Sequence, residues 1–170
     1  MDTGLLILRV VTGALIAGHG IQKVSFWLGG NGLAGGAEEF RRDGFRGGVI
    51  TALAAGGSQI GSGLLLVTGA LTPLAAMGLI GVMTVAITVK WQNGLWVQHD
   101  GYEFPLLLVV VGAVLTLTGP GAFSLDAALD FQPPSWTAPL AVGVGVGSGL
   151  LTRLALHRRT PPESTQKGPP

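Results

Sequence analysis

The sequence predicts an all-α membrane protein on three observations: four long apolar stretches with a weaker fifth, few charged residues, and basic residues gathered on one set of loops. A helix rising about 1.5 Å per residue needs roughly 20 residues to cross a hydrocarbon core of about 30 Å. Segments 4–24, 47–72, 74–90, 104–120 and 136–153 meet or approach that length. Of the 170 residues, 48% are hydrophobic and 11% charged, where a soluble domain carries about 25% charged residues. The mean hydropathy of +0.55 points the same way and against a soluble helical bundle.

Each element has its own signal. The first apolar run follows Met1-Asp2-Thr3-Gly4, with no basic leader and no small-x-small cleavage site after it, so it is read as a retained helix. The first loop, 26–46, holds Gly29-Gly30-Asn31-Gly32 and Gly35-Gly36, then Ala37-Glu38-Glu39-Phe40-Arg41-Arg42, a stretch that fits one amphipathic turn in a surface lid. No preceding strand and no GxxxxGK[ST] accompany these glycines, which argues against nucleotide binding. Leu71-Thr72-Pro73 predicts a tight hairpin between the second and third spans, because proline cannot continue a helix but suits its first position. The proline-rich segment 158–170 is expected to be a disordered tail.

Charge fixes an expected orientation. Of the ten Lys and Arg, Lys23, Arg41, Arg42, Arg46, Lys90, Arg153, Arg158, Arg159 and Lys167 fall on one side if there are five crossings, and Arg9 lies inside the first span. Basic loops stay in the cytoplasm, which puts the N-terminus outside and the C-terminus inside a bacterial plasma membrane. Four crossings would move Arg158 and Arg159 to the other side, so the charge pattern supports the fifth span. Phe26, Trp27, Phe40, Phe45, Trp91, Trp96, Tyr102 and Phe104 are expected as an aromatic belt on the basic side, and Phe123, Phe131 and Trp136 on the other. The net charge of +1 gives no footprint for nucleic acid, and the absence of cysteine excludes disulfide and CxxC redox chemistry.

Polar residues inside spans are the candidates for function. Arg9, Thr12, Gly13, His19, Gly20 and Lys23 share one face of the first span, predicted to point into the bundle. An intramembrane arginine is either paired, snorkelling to the interface or a ligand contact. Gln59 falls near mid-membrane in line with Ala52, Ala55, Gly56, Ser62 and Gly63, and either packs against a neighbouring helix or reads a polar group on a ligand. Gly57 with Gly61, Gly143 with Gly147 and Gly145 with Gly149 have the spacing that favours close helix contact, including contact between copies of the chain. Thr84 and Thr88 are expected to bond their own helix. In the third loop Glu103, just before Pro105, suits a helix N-terminus. His99 and Glu103 lack a third partner, so no metal is assigned.

Leu8-Arg9 followed by His19-Gly20-Ile21-Gln22-Lys23, then Thr72-Pro73, Asn93-Gly94, Gly101-Tyr102-Glu103, Gly119-Pro120-Gly121 and Ser124-Leu125-Asp126 occur in an order and spacing that resembles the DoxX family of small bacterial membrane proteins, over about residues 4–130. The resemblance implies a four-helix transmembrane bundle over 1–130, to which this chain adds a fifth, C-terminal helix within 131–157. It also implies redox chemistry in others' hands: the family takes its name from the small subunit of a thiosulfate:quinone oxidoreductase, and a mycobacterial relative is linked to a membrane complex with superoxide dismutase and a sulfurtransferase. Gln59 stands where the family pattern places a glutamate, so a proton relay does not carry over.

Two functions follow as expectations. In one, the chain is a non-catalytic membrane subunit or anchor for a redox or sulfur/oxidative-stress partner, met through Lys23, Trp96, His99 and Tyr102. In the other, the bundle binds a lipophilic small molecule such as a quinone, with Arg9, His19, Gln59 and Glu103 as polar contacts. No catalytic residue is assigned, no other cofactor is implied, and transport finds no support in an inverted repeat.

Overall fold

The computed structural model describes residues 1–157, so the expected tail at 158–170, with Arg158, Arg159 and Lys167, lies outside the described residues. The helices are α1 (Asp2–Val24), α2 (Gly32–Arg42), α3 (Val49–Thr68), α4 (Thr72–Lys90), α5 (Glu103–Thr118), the short α6 (Leu125–Ala128) and α7 (Thr137–Leu156). Four of them, α1, α3, α7 and α4 with the turn that follows it, are long and apolar enough to cross a membrane. At 16 residues α5 is shorter, about 24 Å by helical rise.

A hydrophobic core of Ile16, Leu66, Ala75, Leu79, Met83, Leu108 and Leu115 draws one stripe from each of α1, α3, α4 and α5 and makes these four the bundle. Lipid is as apolar as leucine, so this bundle is held by close fit rather than by hydrophobic exclusion. The closest fit is α1 against α3. A Cβ on Gly13 would stand 2.5 Å from the Gly63 carbonyl oxygen, and one on Gly20 2.6 Å from that of Gly56. Outside the bundle, α7 lies along α4 through Gly145, whose added Cβ would meet Ile80 at 2.9 Å, and Gly149, which faces the Gly81 carbonyl. The other two small-residue pairs, Gly57 with Gly61 and Gly143 with Gly147, meet nothing within 4 Å and face outward.

The first loop holds more structure than one amphipathic turn. Its helix starts at Gly32 and runs eleven residues, because Gly36 lets it lie directly on the α1 end at the Lys23 carbonyl. It folds back over the bundle, which corrects the expected aromatic belt at two positions: Phe40 and Phe45 are buried with Ala37 and Ala52 in a second core cluster. Phe26, Trp27, Trp91, Trp96 and Phe104 on this end, and Phe123, Phe131 and Trp136 on the other, are exposed as an interfacial belt requires. The same end gathers Lys23, Arg41, Arg42, Arg46, Lys90 and Arg153, with Arg153 donating to the Asp43 carbonyl at 3.3 Å.

Candidate functional site: a polar knot and an open cleft

Arg9 is 0% exposed, although it lies only two turns from the start of α1. Its guanidinium donates to the Phe123 carbonyl and, at 3.5 Å, to that of Leu66. It therefore ties α1 to the end of α3 and to the segment after α5, and does not snorkel. Gly69, in the left-handed region at φ +66°, ends α3 beneath it; a Cβ there would overlap Arg9 Nη1. Next to Arg9, Asp126 accepts from Leu71 N at 2.7 Å, Thr72 N at 3.0 Å and Thr72 Oγ1 at 2.8 Å. Leu71 is left-handed at φ 46°, a strained conformation for a branched side chain, and the carboxylate holds it in the hairpin. Ser124 caps α6 by accepting from Ala127 N at 3.1 Å, which fixes Asp126 in place. The knot is dense, buried and almost fully bonded, with Arg9 Nε its one unpartnered nitrogen.

The second polar centre differs in kind. A cleft of about 620 Å³ runs along α4 between α3 and α7, roofed at its basic end by α2. Its α3 wall extends from Thr51 to Leu65, about 21 Å at 1.5 Å per residue, or roughly two thirds of the thickness of a hydrocarbon core. Leu74, Met77, Val82 and Val85 make it apolar, and Lys23, Glu39, Asp43 and Lys90 ring its mouth. Lys23 pairs with Glu39 at 2.9 Å and lies over the Phe40 ring, while Lys90 pairs with Asp100. Asp43 forms no ion pair among the described residues; burial, and then the neighbouring Glu39, hold its carboxyl above the ordinary aspartate value against Lys23, Lys90 and Arg42. On the wall, Gln59 is 4% exposed and its amide oxygen has no hydrogen-bond partner.

The structure does not bring the four candidate contacts together. Only Gln59 lines the cleft. Arg9 belongs to the knot at the far end. His19 is exposed, 3.2 Å from Gln22 Oε1 and edge-on to Phe104, which corrects its placement on the inward face of α1. The buried stripe is Arg9, Thr12, Gly13, Ile16, Ala17 and Gly20, and at about 100° per residue His19 falls at its edge. Glu103 accepts from Val97 N at 3.0 Å and so braces the third loop, with no side-chain bond capping α5. Of the candidate partner contacts, Trp96 and His99 are exposed, Tyr102 stacks on Trp91 with centroids 5.0 Å apart, and Lys23 is engaged with Glu39. Thr84 and Thr88 bond the carbonyls of Ile80 and Val85 in their own helix. Sequence reasoning missed Asp126 as the centre of the knot and Ser58, Ser148 and Thr152 as polar points of the cleft. The Ser-Leu-Asp run after a glycine-proline turn was the available signal for Asp126.

A four-helix apolar bundle with buried polar knots, an added outer helix and no metal-binding group of three His, Cys, Asp or Glu among the described residues defines a small integral membrane protein. The chain belongs to the DoxX family, whose model matches residues 4–92, just over half of it. That match covers α1 to α4 and leaves out α5, the Asp126 segment and α7. An uncharacterized protein of Haemophilus influenzae is 33% identical over 87 residues, covering 47% of this chain and 55% of that protein. The chain thus spans about half the length of the curated relative it matches. No solved structure matches.

Proposed function

We propose that this DoxX-family chain is a membrane subunit whose α3–α4–α7 cleft binds a lipophilic small molecule, with the quinone/quinol class, whose reduced form carries donor hydroxyls, the one to test first. The observation that carries this reading is Gln59. A buried amide left without a partner costs about 1–3 kcal/mol, and it stands on the wall of an apolar cleft large enough for a drug-sized ligand. A ligand head group that donates a hydrogen bond to that oxygen, such as a quinol hydroxyl, would recover that loss. Of the four sequence candidates only Gln59 is assigned to ligand here; Arg9 is assigned to the knot, and His19 and Glu103 to the loops. Organic extraction of protein purified in mild detergent should yield a stoichiometric lipophile, and protein that yields none above the detergent background overturns the reading.

A second reading, the anchor for a redox or sulfur-stress partner, is favoured by how the third loop is built. Lys90 to Asp100, Asn93 to the Asp100 carbonyl and Glu103 to Val97 N fix a loop that presents Trp96 at 58% exposure. A partner captured in mild detergent by wild type and lost in Trp96→Ala would support it. The outward faces of Gly57 and of Gly143 with Gly147, none of which lines the cleft, are the surfaces a homo-oligomer would use. In both readings the basic end is cytoplasmic and the N-terminus outside, in a bacterial plasma membrane. The chain has no cysteine, so Phe131→Cys should react with an impermeant maleimide on intact cells and Asn93→Cys should not.

A further inference from the structure

We infer that the cleft is loaded sideways from the bilayer, through a portal between α3 and α7, and not through its roof. The inference rests on the cleft as a lipophile site and concerns its route. Both α3 and α7 pack on α4, yet they have no appreciable contact with each other, so the groove between them has a floor and two walls but no outer wall. The rim is made of small residues: Ala54 and Gly61 on α3 are exposed, as is Ser148 on α7, and a Cβ on Gly61 would meet nothing within 4 Å. Small residues alone would not mark a site. Gln59 does, since its orphaned amide oxygen belongs to the buried part of the cleft lining, at a depth where the bilayer offers no water to bond it.

The basic end, by contrast, is fastened. Lys23 holds α2 through Glu39, and Arg46 N donates to the Leu156 carbonyl at 2.7 Å. Phe45, 0% exposed, is packed by Phe40, His157 and the Arg153 guanidinium, 5.2 Å from its centroid. A hydrocarbon chain entering there would have to pass the charges of Lys23, Glu39, Asp43 and Lys90. Through the portal it moves from lipid to apolar wall with no such passage. One wall of the portal is α7, which lies outside the residues the family model matches.

The test uses delipidated full-length protein in phosphatidylcholine vesicles carrying a phenyldiazirine dissolved in the bilayer, with photoadducts mapped by mass spectrometry. Adducts are expected on the α4 floor from Met77 to Val82. Gly61→Leu should lower them several-fold, whereas Gly57→Leu, an equally open glycine one turn away that does not line the cleft, should leave them unchanged. Joining Lys23 to Glu39 by zero-length carbodiimide coupling should leave them unchanged too. Floor adducts that ignore Gly61→Leu, or that vanish when the roof is coupled, overturn the portal. Adding decylubiquinol tests the binding reading separately: floor adducts that persist undiminished count against a quinol in the cleft and leave the portal standing.

Discussion

The knot at Arg9 and the cleft at Gln59 are both polar islands in an apolar bundle, yet they are finished differently. Around Arg9 and Asp126, donors and acceptors from α1, the α3–α4 hairpin and the 121–127 segment find one another. At Gln59 the amide oxygen is buried and left open. In a membrane a polar group without a partner has no water to fall back on; Arg9 Nε in the knot is also unpartnered but does not line the cleft, so it is an open acceptor on an apolar cleft wall that points to binding at Gln59.

Substitutions can break this contrast, and the largest effect is expected at Asp126. Asp126→Ala removes three hydrogen bonds to a buried carboxylate and leaves the donors of Leu71 and Thr72 bare, at a cost of about 1–3 kcal/mol for each buried donor left without a partner. Thermal melting in detergent should show a large fall. Arg9→Leu should cost less, about 1–3 kcal/mol, since two backbone carbonyls lose their donor. Arg9→Lys should fall between this and wild type, because the ammonium lacks the planar fork that reaches both carbonyls. A pair of unchanged melting temperatures would remove Arg9 from the structural core.

The cleft should behave in the opposite sense. Gln59→Leu removes an unsatisfied amide and should hold or raise stability, by up to about 1 kcal/mol, while abolishing retention of the extracted lipophile. The smallest effect is expected at the mouth. Because the Asp43 carboxyl titrates above its unfolded value, its contribution to stability is complete below the ordinary aspartate pKa and is lost as pH rises through the folded one. Asp43→Asn should therefore be slightly more stable than wild type near neutrality and indistinguishable from it in acid, a difference that melts at two pH values would reveal.

Much of this was legible in the sequence, for definite physical reasons. Apolar length gave the five long apolar helices, four of which are long enough to cross a bilayer, since a bilayer imposes a near-fixed length on a helix. Periodicity put Arg9 and Gln59 on buried faces. It failed for His19, because a helical wheel assigns a residue at the edge of a stripe to whichever side the next helix happens to leave open. It failed again for Phe40 and Phe45, where interfacial aromatics became core once α2 folded over the bundle end. The cleft was not legible at all. It exists only because α7 settles on α4 beside α3 without packing against it, a placement set by Gly145 and Gly149 that no local pattern announces. The knot was half legible: Arg9 called for partners, but its carbonyl partners lie 57 and 114 residues away.

The central claim is that the open amide at Gln59 is kept for a ligand. Melting of wild type, Gln59→Leu and Arg9→Leu with rising decylubiquinol, kept reduced, tests it directly, since a molecule that binds only the folded state raises its melting temperature. Wild type and the weakened Arg9→Leu should both shift upward with concentration, while Gln59→Leu should not shift. An equal shift in Gln59→Leu, or none in wild type, would contradict the claim.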